Sequence, residues 1–533
     1  METTIETDVA IVGAGPTGLS LACQLIRYGV DFVIFDQKET ITPHSKAIGV
    51  QARTLEIYEQ IDLANKLIEQ GWITEKARFV VGGEVRGEVE LSKIGTGMSP
   101  YPFLLIVEQG KHEKILYDFI KANGKDVAWR TEFEGLSQDD NGVRASFKTA
   151  SGKTETIAAK FLVGCDGAKS PVRSMLGLTF EGSTFERMFY VADAQIDWKF
   201  THEALYVCLA KKTLTAFFPM VGQSHYRIVG TFPEGHERDE GEILYEEIER
   251  QIKADTELEL DISDVNWFSV YKVHTRRVNR FSVGRCFLAG DAAHIHTPAG
   301  AQGMNTGIQD GYNLAWKMWL VLREKASDKI LETYNEERLP NAENLLKTTD
   351  WLFNLGASPD TLLSYLRTHI FPYIAGFALS FDAVKKFIFP RISQIGIHYR
   401  KSSLSENNGN VSVKAGDRMP YFTVEGKSIY DRLHQPKFHW LVFSDAQGDC
   451  QALKTELESQ YAEWIDFNVI PLYPQVAGVF GVKHSFNVLL RPDNYIGFIS
   501  AGTSLSELKM YLREHALCDS AYLWGSVRKE SQP

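Results

Sequence analysis

The ten residues Val9 to Gly18, Val-Ala-Ile-Val-Gly-Ala-Gly-Pro-Thr-Gly, constrain this chain more than any others. They read as a buried strand that enters a glycine-rich turn and opens a helix. Gly13 permits the tight turn, Gly15 lets a pyrophosphate approach the main chain, and Gly18 lets the helix pack closely on the strand. The helix, predicted from Leu19 to Tyr28, aims its N-terminal amides and the positive end of its dipole at the phosphates. Gly29 ends it, and Val30 to Phe35 forms a second strand. Asp36 follows, where a carboxylate can take both ribose hydroxyls. An isolated Gly-x-Gly-x-x-Gly is a weak signal. Strand, turn, helix, strand and terminal acid in this order predict a dinucleotide site, and the acid favours NAD or FAD over NADP.

Two later segments also deliver an acid from a strand. In Phe161 to Arg173 an apolar run enters Asp166-Gly167, and Ser170-Pro171 starts a helix, with proline fitting its first turn. Asp166 can accept from a cofactor hydroxyl or cap that helix, and taken alone the segment favours capping. Gly284 to His294 is a strand ending in Gly290-Asp291. A Pro/Gly-rich loop follows, and then a helix predicted from about Asn305 to Leu322. Asp291 can bond a ribityl or ribose hydroxyl. Gly300 and Gly303 let a flat ring approach the main chain, and the helix start favours negative charge there.

In this order and at these distances the three elements resemble the FAD-dependent aromatic hydroxylases of the p-hydroxybenzoate hydroxylase and phenol hydroxylase type, the class A flavoprotein monooxygenases, over about residues 5 to 350. The resemblance implies that Gly13, Ala14, Gly15, Pro16, Thr17 and Gly18 hold the FAD pyrophosphate, with Asp36 and Gln37 at the ribose. It implies that Asp166 serves FAD and NAD(P)H, and that Asp291 binds the ribityl chain. Pro298 would lie beside the flavin ring, with Gly300, Gly303, Met304 and Asn305 around its pyrimidine edge. Lys46 to Leu55 resembles the segment beside the flavin, with Arg53 in its Arg-Thr-Leu core, and Gln109 resembles a glutamine that contacts the cofactor. The implied chemistry is reduction of FAD by NADPH or NADH as a transient co-substrate, addition of O2 at the flavin 4a carbon, and transfer of OH from the hydroperoxide to an electron-rich ring. The chain has no second Rossmann fingerprint, which suits transient binding of the nicotinamide.

Between the second and third elements the pattern turns to strands: Met188 to Ile196, Leu205 to Leu209, Thr213 to Met220, Tyr226 to Phe232 and Val265 to Val273. In the resembled family this inserted sheet roofs the substrate, and the founding enzyme holds a carboxylate there with an arginine. Leu214 to Met220, the matching strand, has none. A larger, flatter aromatic such as a polyketide, polycyclic phenol or antibiotic is therefore expected rather than a small benzoate. Phe217, with Tyr206, Pro219 and Ile228, is the expected contact set, although alternation lets only one of Phe217 and Phe218 face the pocket. His225, His274, His294 and His296 read as structural, and Arg276 and Arg277 as salt-bridge partners at a domain junction.

The expected architecture is α/β: a Rossmann-like FAD domain (1–178 and 275–400, with a helical extension from about 340), an inserted β-sheet substrate domain (179–274) and a C-terminal thioredoxin-like domain (412–525). That last domain lacks Cys-x-x-Cys, so disulfide exchange is not expected of it; a structural role or a contact in a homodimer is. Thr333 to Pro340 reads as a helix end, Trp351 to Ala378 as helices packed on a protein surface, and Ser402 to Gly416 as a linker. A net charge of −11 argues against a nucleic-acid partner. No run approaches ~20 apolar residues, so neither a membrane span nor a membrane partner is expected. The six cysteines lack zinc spacing, so no metal is expected, and with a polar, acidic start in place of a secretory signal they suit the cytoplasm. Baeyer–Villiger oxidation, epoxidation or antibiotic inactivation on the same fold is the alternative within the class. A non-catalytic flavin-binding protein is the alternative outside it. A plain NAD dehydrogenase would leave Asp166 and Asp291 without a role, and a flavin halogenase would need a Trp-x-Trp-x-Ile-Pro segment that the chain lacks.

Overall fold

Parallel pairing brings the three sequence elements to one edge. The computed structural model describes residues 4–43, 47–233, 243–297, 299–357, 360–444 and 450–517. In its first sheet, Cys286–Leu288, Thr154–Gly164, Thr4–Val12, Phe32–Phe35 and Val127–Ala128 lie side by side and parallel. Val12 pairs with Phe35 on one side and Gly164 on the other, and Gly164 with Leu288. Gly13, Asp36, Asp166 and Asp291 therefore emerge together at the carboxyl ends of four neighbouring strands, where open α/β sheets bind ligands. Parallel strands need a crossover, and the helix Pro16–Arg27 supplies the first. It starts at Pro16 rather than Leu19 because proline's fixed φ suits a first helical turn. The second strand starts at Phe32 rather than Val30 because the Gly29 and Val30 amides close the helix end on Ile26 and Leu25.

The long helix Gly303–Leu322 packs on Pro16–Arg27 through small residues. A Cβ on Gly307 would come 2.4 Å from Thr17 Oγ1, and one on Gly311 would come 3.1 Å from Leu21 Cβ. This spacing of one turn lets the two helices meet almost backbone to backbone.

The second sheet runs His294–Ile295, Leu260–Val278, Phe180–Trp198, His225–Thr231, Leu214–Pro219, Ala204–Leu209, Lys76–Val81, Glu84–Glu90. Its two 19-residue strands, Phe180–Trp198 and Leu260–Val278, extend well beyond their apolar runs because each continues the other's ladder across two register shifts. Lys76–Val81 joins it parallel to Ala204–Leu209, from far upstream. The helix Tyr245–Thr256 covers one face with Ile248 and Ile252.

The third sheet has the order Glu406–Asn408, Ile496–Ala501, Phe486–Leu490, Phe438–Phe443, Ile465–Ile470. Alternation divides it cleanly. Phe438, Trp440 and Val442 join the core of the first sheet, with Phe438 edge-on to Trp316 at 5.6 Å, whereas Leu441 and Phe443 pack with Phe480 and Phe486. Val488 to Phe498 is a hairpin, turned at Arg491 to Tyr495 with Asn494 at φ 60°. Two sequence expectations change here. Ser402 to Gly416 is no free linker, since Glu406–Asn408 pairs with Ile496–Ala501 and Ser402 is buried. Pro340 lies inside the helix Glu332–Ala357 instead of ending it.

The five described cysteines are buried and unpaired; Cys518 lies outside the described residues. Burial pushes the Cys23, Cys165, Cys208 and Cys286 thiols up, the last to about 12, so they are inert. Among the described residues no helix is long and apolar enough to cross a membrane.

Candidate functional site

Four loops converge at the strand ends. Gly13 takes φ +103°, and a Cβ on Gly18 would lie 1.9 Å from the Gly13 carbonyl oxygen, so this turn accepts no side chain at either position. A Cβ on Gly15 would meet nothing within 4 Å. Gly15 is the N-cap of Pro16–Arg27, and no side chain caps that helix. Uncapped first-turn amides beside an approachable backbone are the cradle that a pyrophosphate requires. Asp36 accepts the Ala14 amide on Oδ2 (2.7 Å) and the Lys38 amide on Oδ1 (2.8 Å). Each oxygen keeps a second lone pair, so Asp36 braces the turn and can still accept from a ribose. Beside it, Gln37, Lys38, Arg130 and Lys148 line a cavity of about 500 Å³.

Asp166 both caps and stays open. Its Oδ2 accepts the Val172 amide at 3.0 Å, while the N-cap proper is Ser170, whose Oγ accepts from Arg173 at 2.9 Å. Asp166 Oδ1 is buried with no partner, and burial pushes this carboxyl up. An orphaned buried acceptor costs about 1–3 kcal/mol, and a cofactor hydroxyl is the donor that would satisfy it.

Asp291 is exposed on the turn Gly290–Ala292, and that turn hangs from a buried carboxylate. Asp310 Oδ2 accepts the Gly290 amide (3.0 Å) and His294 Nε2 (2.8 Å), and Oδ1 accepts Arg338 Nε (2.6 Å). Burial alone would push Asp310 up, but Arg338 and His294 outweigh it and hold the carboxyl below its ordinary range. Arg338 also donates to Tyr399 Oη and the Thr306 carbonyl. Nothing local in the sequence marks this network, because Asp310 and Arg338 are 28 residues apart.

Gly300 takes φ +78° in the turn Ala299–Ala301, and no side chain caps the start of Gly303–Leu322, which leaves the Gly303 and Met304 amides facing the crevice. Asn305 is spent on protein. Its Oδ1 accepts the Gln51 amide and Thr54 Oγ1, and its Nδ2 donates to the Gly49 and Ala301 carbonyls. Its side chain positions residues 49–54 against the helix start. Pro298 and Lys46 lie outside the described residues.

Arg53 also departs from expectation. Its guanidinium is buried, donates to Glu56 Oε2 (3.0 Å) and the Asp493 carbonyl (2.8 Å), and lies against the rings of Tyr312 and Tyr495. It ties the first sheet's unit to the C-terminal hairpin. Gln109 donates to Glu113 Oε1 (2.8 Å), and Glu113 Oε2 accepts the Thr42 amide (2.8 Å), so Gln109 steadies the loop Thr40–Pro43. Arg277 pairs with Glu343 at 2.8 Å, a junction salt bridge.

A groove of about 800 Å³ runs from that loop to the second sheet, lined among others by Thr42, Pro43, Gly110, Asp193 and Arg227. The sheet's face here is not the expected one. Tyr206 pairs with Phe217, Phe217 with Ile228, and Pro219 with Tyr226. All of these turn away from the groove, and Tyr206, Phe217 and Ile228 pack in the core with Ile248 and Ile252. The helix Tyr245–Thr256 covers the side on which Tyr206, Phe217 and Ile228 lie, and Pro219 pairs with Tyr226 of the same core. Phe218 and Met220 instead meet Ile48, Leu104 and Ile106 next to Gly49. Cross-strand from Phe218, Arg227 grips Asp193 with two hydrogen bonds and lies under the Trp267 ring, while its buried Nη1 has no partner. The roof does hold an arginine, one strand over from where it was sought.

His112 is buried and His296 half-buried. His296 donates from Nδ1 to the Thr297 carbonyl, His112 Nε2 bonds Tyr58 Oη, and burial pushes both down to about 4 from 6.5. The unfolded chain takes up these protons near pH 6.5 and the folded chain only near 4, so stability falls as pH falls through that window. The thermal midpoint is expected to drop between about pH 7 and about pH 5, with His112→Gln flattening the slope. A flat profile would contradict this reading.

The FAD binding domain family matches residues 6–349. A flavin-dependent monooxygenase of Mycobacteroides abscessus is 32% identical over 508 residues, covering 92% of this chain and 97% of its own. The pentachlorophenol 4-monooxygenase of Sphingobium chlorophenolicum is 32% identical over 520 residues, covering 92% and 93%. Among solved structures, an anhydrotetracycline hydroxylase from Streptomyces rimosus superposes with a TM-score of 0.77 at 26% identity, covering 97% of this chain and all of that one.

Proposed function

This chain belongs to the FAD binding domain family, within the flavin-dependent aromatic monooxygenases, and we propose that it hydroxylates a flat, polycyclic phenol or polyketide-type aromatic at the expense of NAD(P)H and O2. The observation that carries the reading is the convergence of Gly15, Asp36, Asp166 and Asp291 at adjacent strand ends, with Asp166 Oδ1 left unpartnered.

These residues fit FAD. Gly15 and the first helix would hold its pyrophosphate, Asp36 its ribose, Asp166 and Asp291 its hydroxyls, and the Gly303 and Met304 amides the electron-rich edge of its ring. FAD, when bound, supplies hydride acceptance and oxygen activation. The protein's share is position and field. Helix-start amides favour negative charge on the ring edge, and Phe218, Met220, Ile48 and Ile106 form an apolar cluster next to Gly49. Arg227 Nη1 offers a donor to a phenolate, carbonyl or carboxylate oxygen of the substrate. The relatives named for tetracycline-type and chlorinated phenol substrates support an aromatic of this kind.

The two faces of one strand separate structure from substrate. Phe217→Ala is expected to cost about 3–5 kcal/mol of stability with little change in KM, and Phe218→Ala to raise KM with a smaller loss of stability. The reverse pattern would return Phe217 to the pocket. The function is tested by following NADPH and NADH oxidation by FAD-loaded protein against simple phenols, polycyclic phenols, tetracyclines and rifamycins. Stimulation by a polycyclic member, with a product one oxygen heavier, is expected. FAD binding without stimulation by any aromatic would favour a non-catalytic flavoprotein.

A further inference from the structure

The segment 361–392 carries an apolar surface that the fold leaves bare. Its helices are Thr361–His369, Phe371–Ala378 and Asp382–Ile392. The middle one is seated on the edge strand Glu84–Glu90: Ala375 is buried, and a Cβ on Gly87 would lie 1.8 Å from the Pro372 carbonyl oxygen. The outward faces hold Leu362, Tyr365, Tyr373, Ile374, Phe377 and Phe387, each 51–68% exposed. Large apolar side chains exposed together on one short segment, rather than scattered singly, are the kind of surface that marks an interaction site.

The charge around this face runs against that of the chain. The whole carries −11, yet residues 361–392 expose Lys386 and Arg391, while the half-buried Lys385 pairs with Asp382, the one acid of the segment, and Arg367 is buried against the sheet. Ser364 and Arg367 donate to the Ala210 and Lys211 carbonyls, which brings the exposed Lys211 and Lys212 to the rim. The acids of the neighbouring strand are held by other cations: Glu84 by Lys199, Glu88 by Arg78 and Glu90 by Lys93.

We propose that this face docks the protein on an anionic phospholipid bilayer, its aromatic rings at the headgroup boundary and its basic rim against the lipid phosphates. Interfacial helices combine an aromatic-apolar face with lysine and arginine in this way. A second copy of the chain fits less well, because a two-fold contact would set the basic rim against itself. A chain without a spanning run can still bind a membrane by such a face, and the proposal does not depend on the substrate assigned above.

The test floats the full-length protein, as purified, with vesicles of phosphatidylcholine alone or with roughly one third phosphatidylglycerol, at low and high salt. Binding to the mixed vesicles is expected, at least ~10-fold weaker to phosphatidylcholine alone and weakened by salt. Tyr373→Ser with Phe377→Ser, at solvent-facing positions that leave FAD content unchanged, should cut binding ~10-fold or more, and so should Lys385→Glu with Lys386→Glu. Failure to bind mixed vesicles at low salt overturns the proposal. A concentration-dependent dimer in sedimentation velocity that the serine variant abolishes overturns it too, in favour of a second copy.

Discussion

Gly15→Val is expected to give a folded, colourless protein. Apart from the chain neighbours, no atom lies within 4 Å of where the new Cβ would stand, so a Cβ there meets open space. It fills only the space in which a pyrophosphate would approach the helix start. Thermal unfolding without added cofactor should match that of the parent. FAD affinity should fall by at least ~100-fold, about 2.7 kcal/mol or more. Gly18→Ala makes the contrast, since its Cβ would strike the Gly13 carbonyl at 1.9 Å and the turn itself must break. That variant should lose both stability and FAD. A Gly15→Val protein that stays yellow would remove the pyrophosphate from this turn.

The second large effect lies far from the crevice. Arg491, fully buried in the C-terminal hairpin, forks onto Glu337 at 2.6 and 3.0 Å and donates through Nε to Asp493 at 3.0 Å. Glu337 also accepts from Asn313, Lys317 and Ser402, and Asp493 from Trp316 Nε1. Arg491→Leu would leave two buried carboxylates facing Lys317 as the remaining cation of the cluster. Breaking one side of a buried pair costs about 3–5 kcal/mol. Urea unfolding of the FAD-loaded protein should show a loss of that size. Adding Glu337→Gln should recover part of it, because the second change removes the stranded charge. FAD retention should weaken as well, since Arg338, adjacent to Glu337, holds the Asp310 carboxylate from which the Gly290–Asp291 turn hangs. Additive losses in the double variant would mean that the two side chains do not act as a pair.

The phosphate turn was legible because its requirements are local. Gly18 is dictated by a clash with the Gly13 carbonyl five residues back, Gly13 by its own positive φ, and Asp36 by the length of one strand, helix and strand. Parallel pairing then had to bring Asp166 and Asp291 beside them. The roof was legible as strands but not as a pocket. Phe217 and Phe218 are equivalent under a two-residue period, and what separates them is the helix Tyr245–Thr256 on one face and Ile48 and Ile106 on the other. Arg53 shows the same limit at long range: the carbonyl that captures it belongs to Asp493, 440 residues away. The buried charges at Asp310, Glu337, Arg338 and Arg491 sit in helices and a turn whose local sequence reads as ordinary polar surface. Their partners lie far along the chain, Asp310 on Gly290, His294 and Arg338, and Glu337 on Arg491 of the C-terminal hairpin.

Incubation of the FAD-loaded protein with NADPH or NADH, isotopically heavy O2 and a panel of polycyclic phenols, followed by mass spectrometry, tests the central claim most directly. One heavy oxygen atom entering a product, with one NAD(P)H consumed per product and none entering from water, is the predicted result. An aromatic product whose new oxygen comes from water, or FAD-loaded protein that forms no oxygenated product while oxidising NAD(P)H at a rate no aromatic alters, would contradict it.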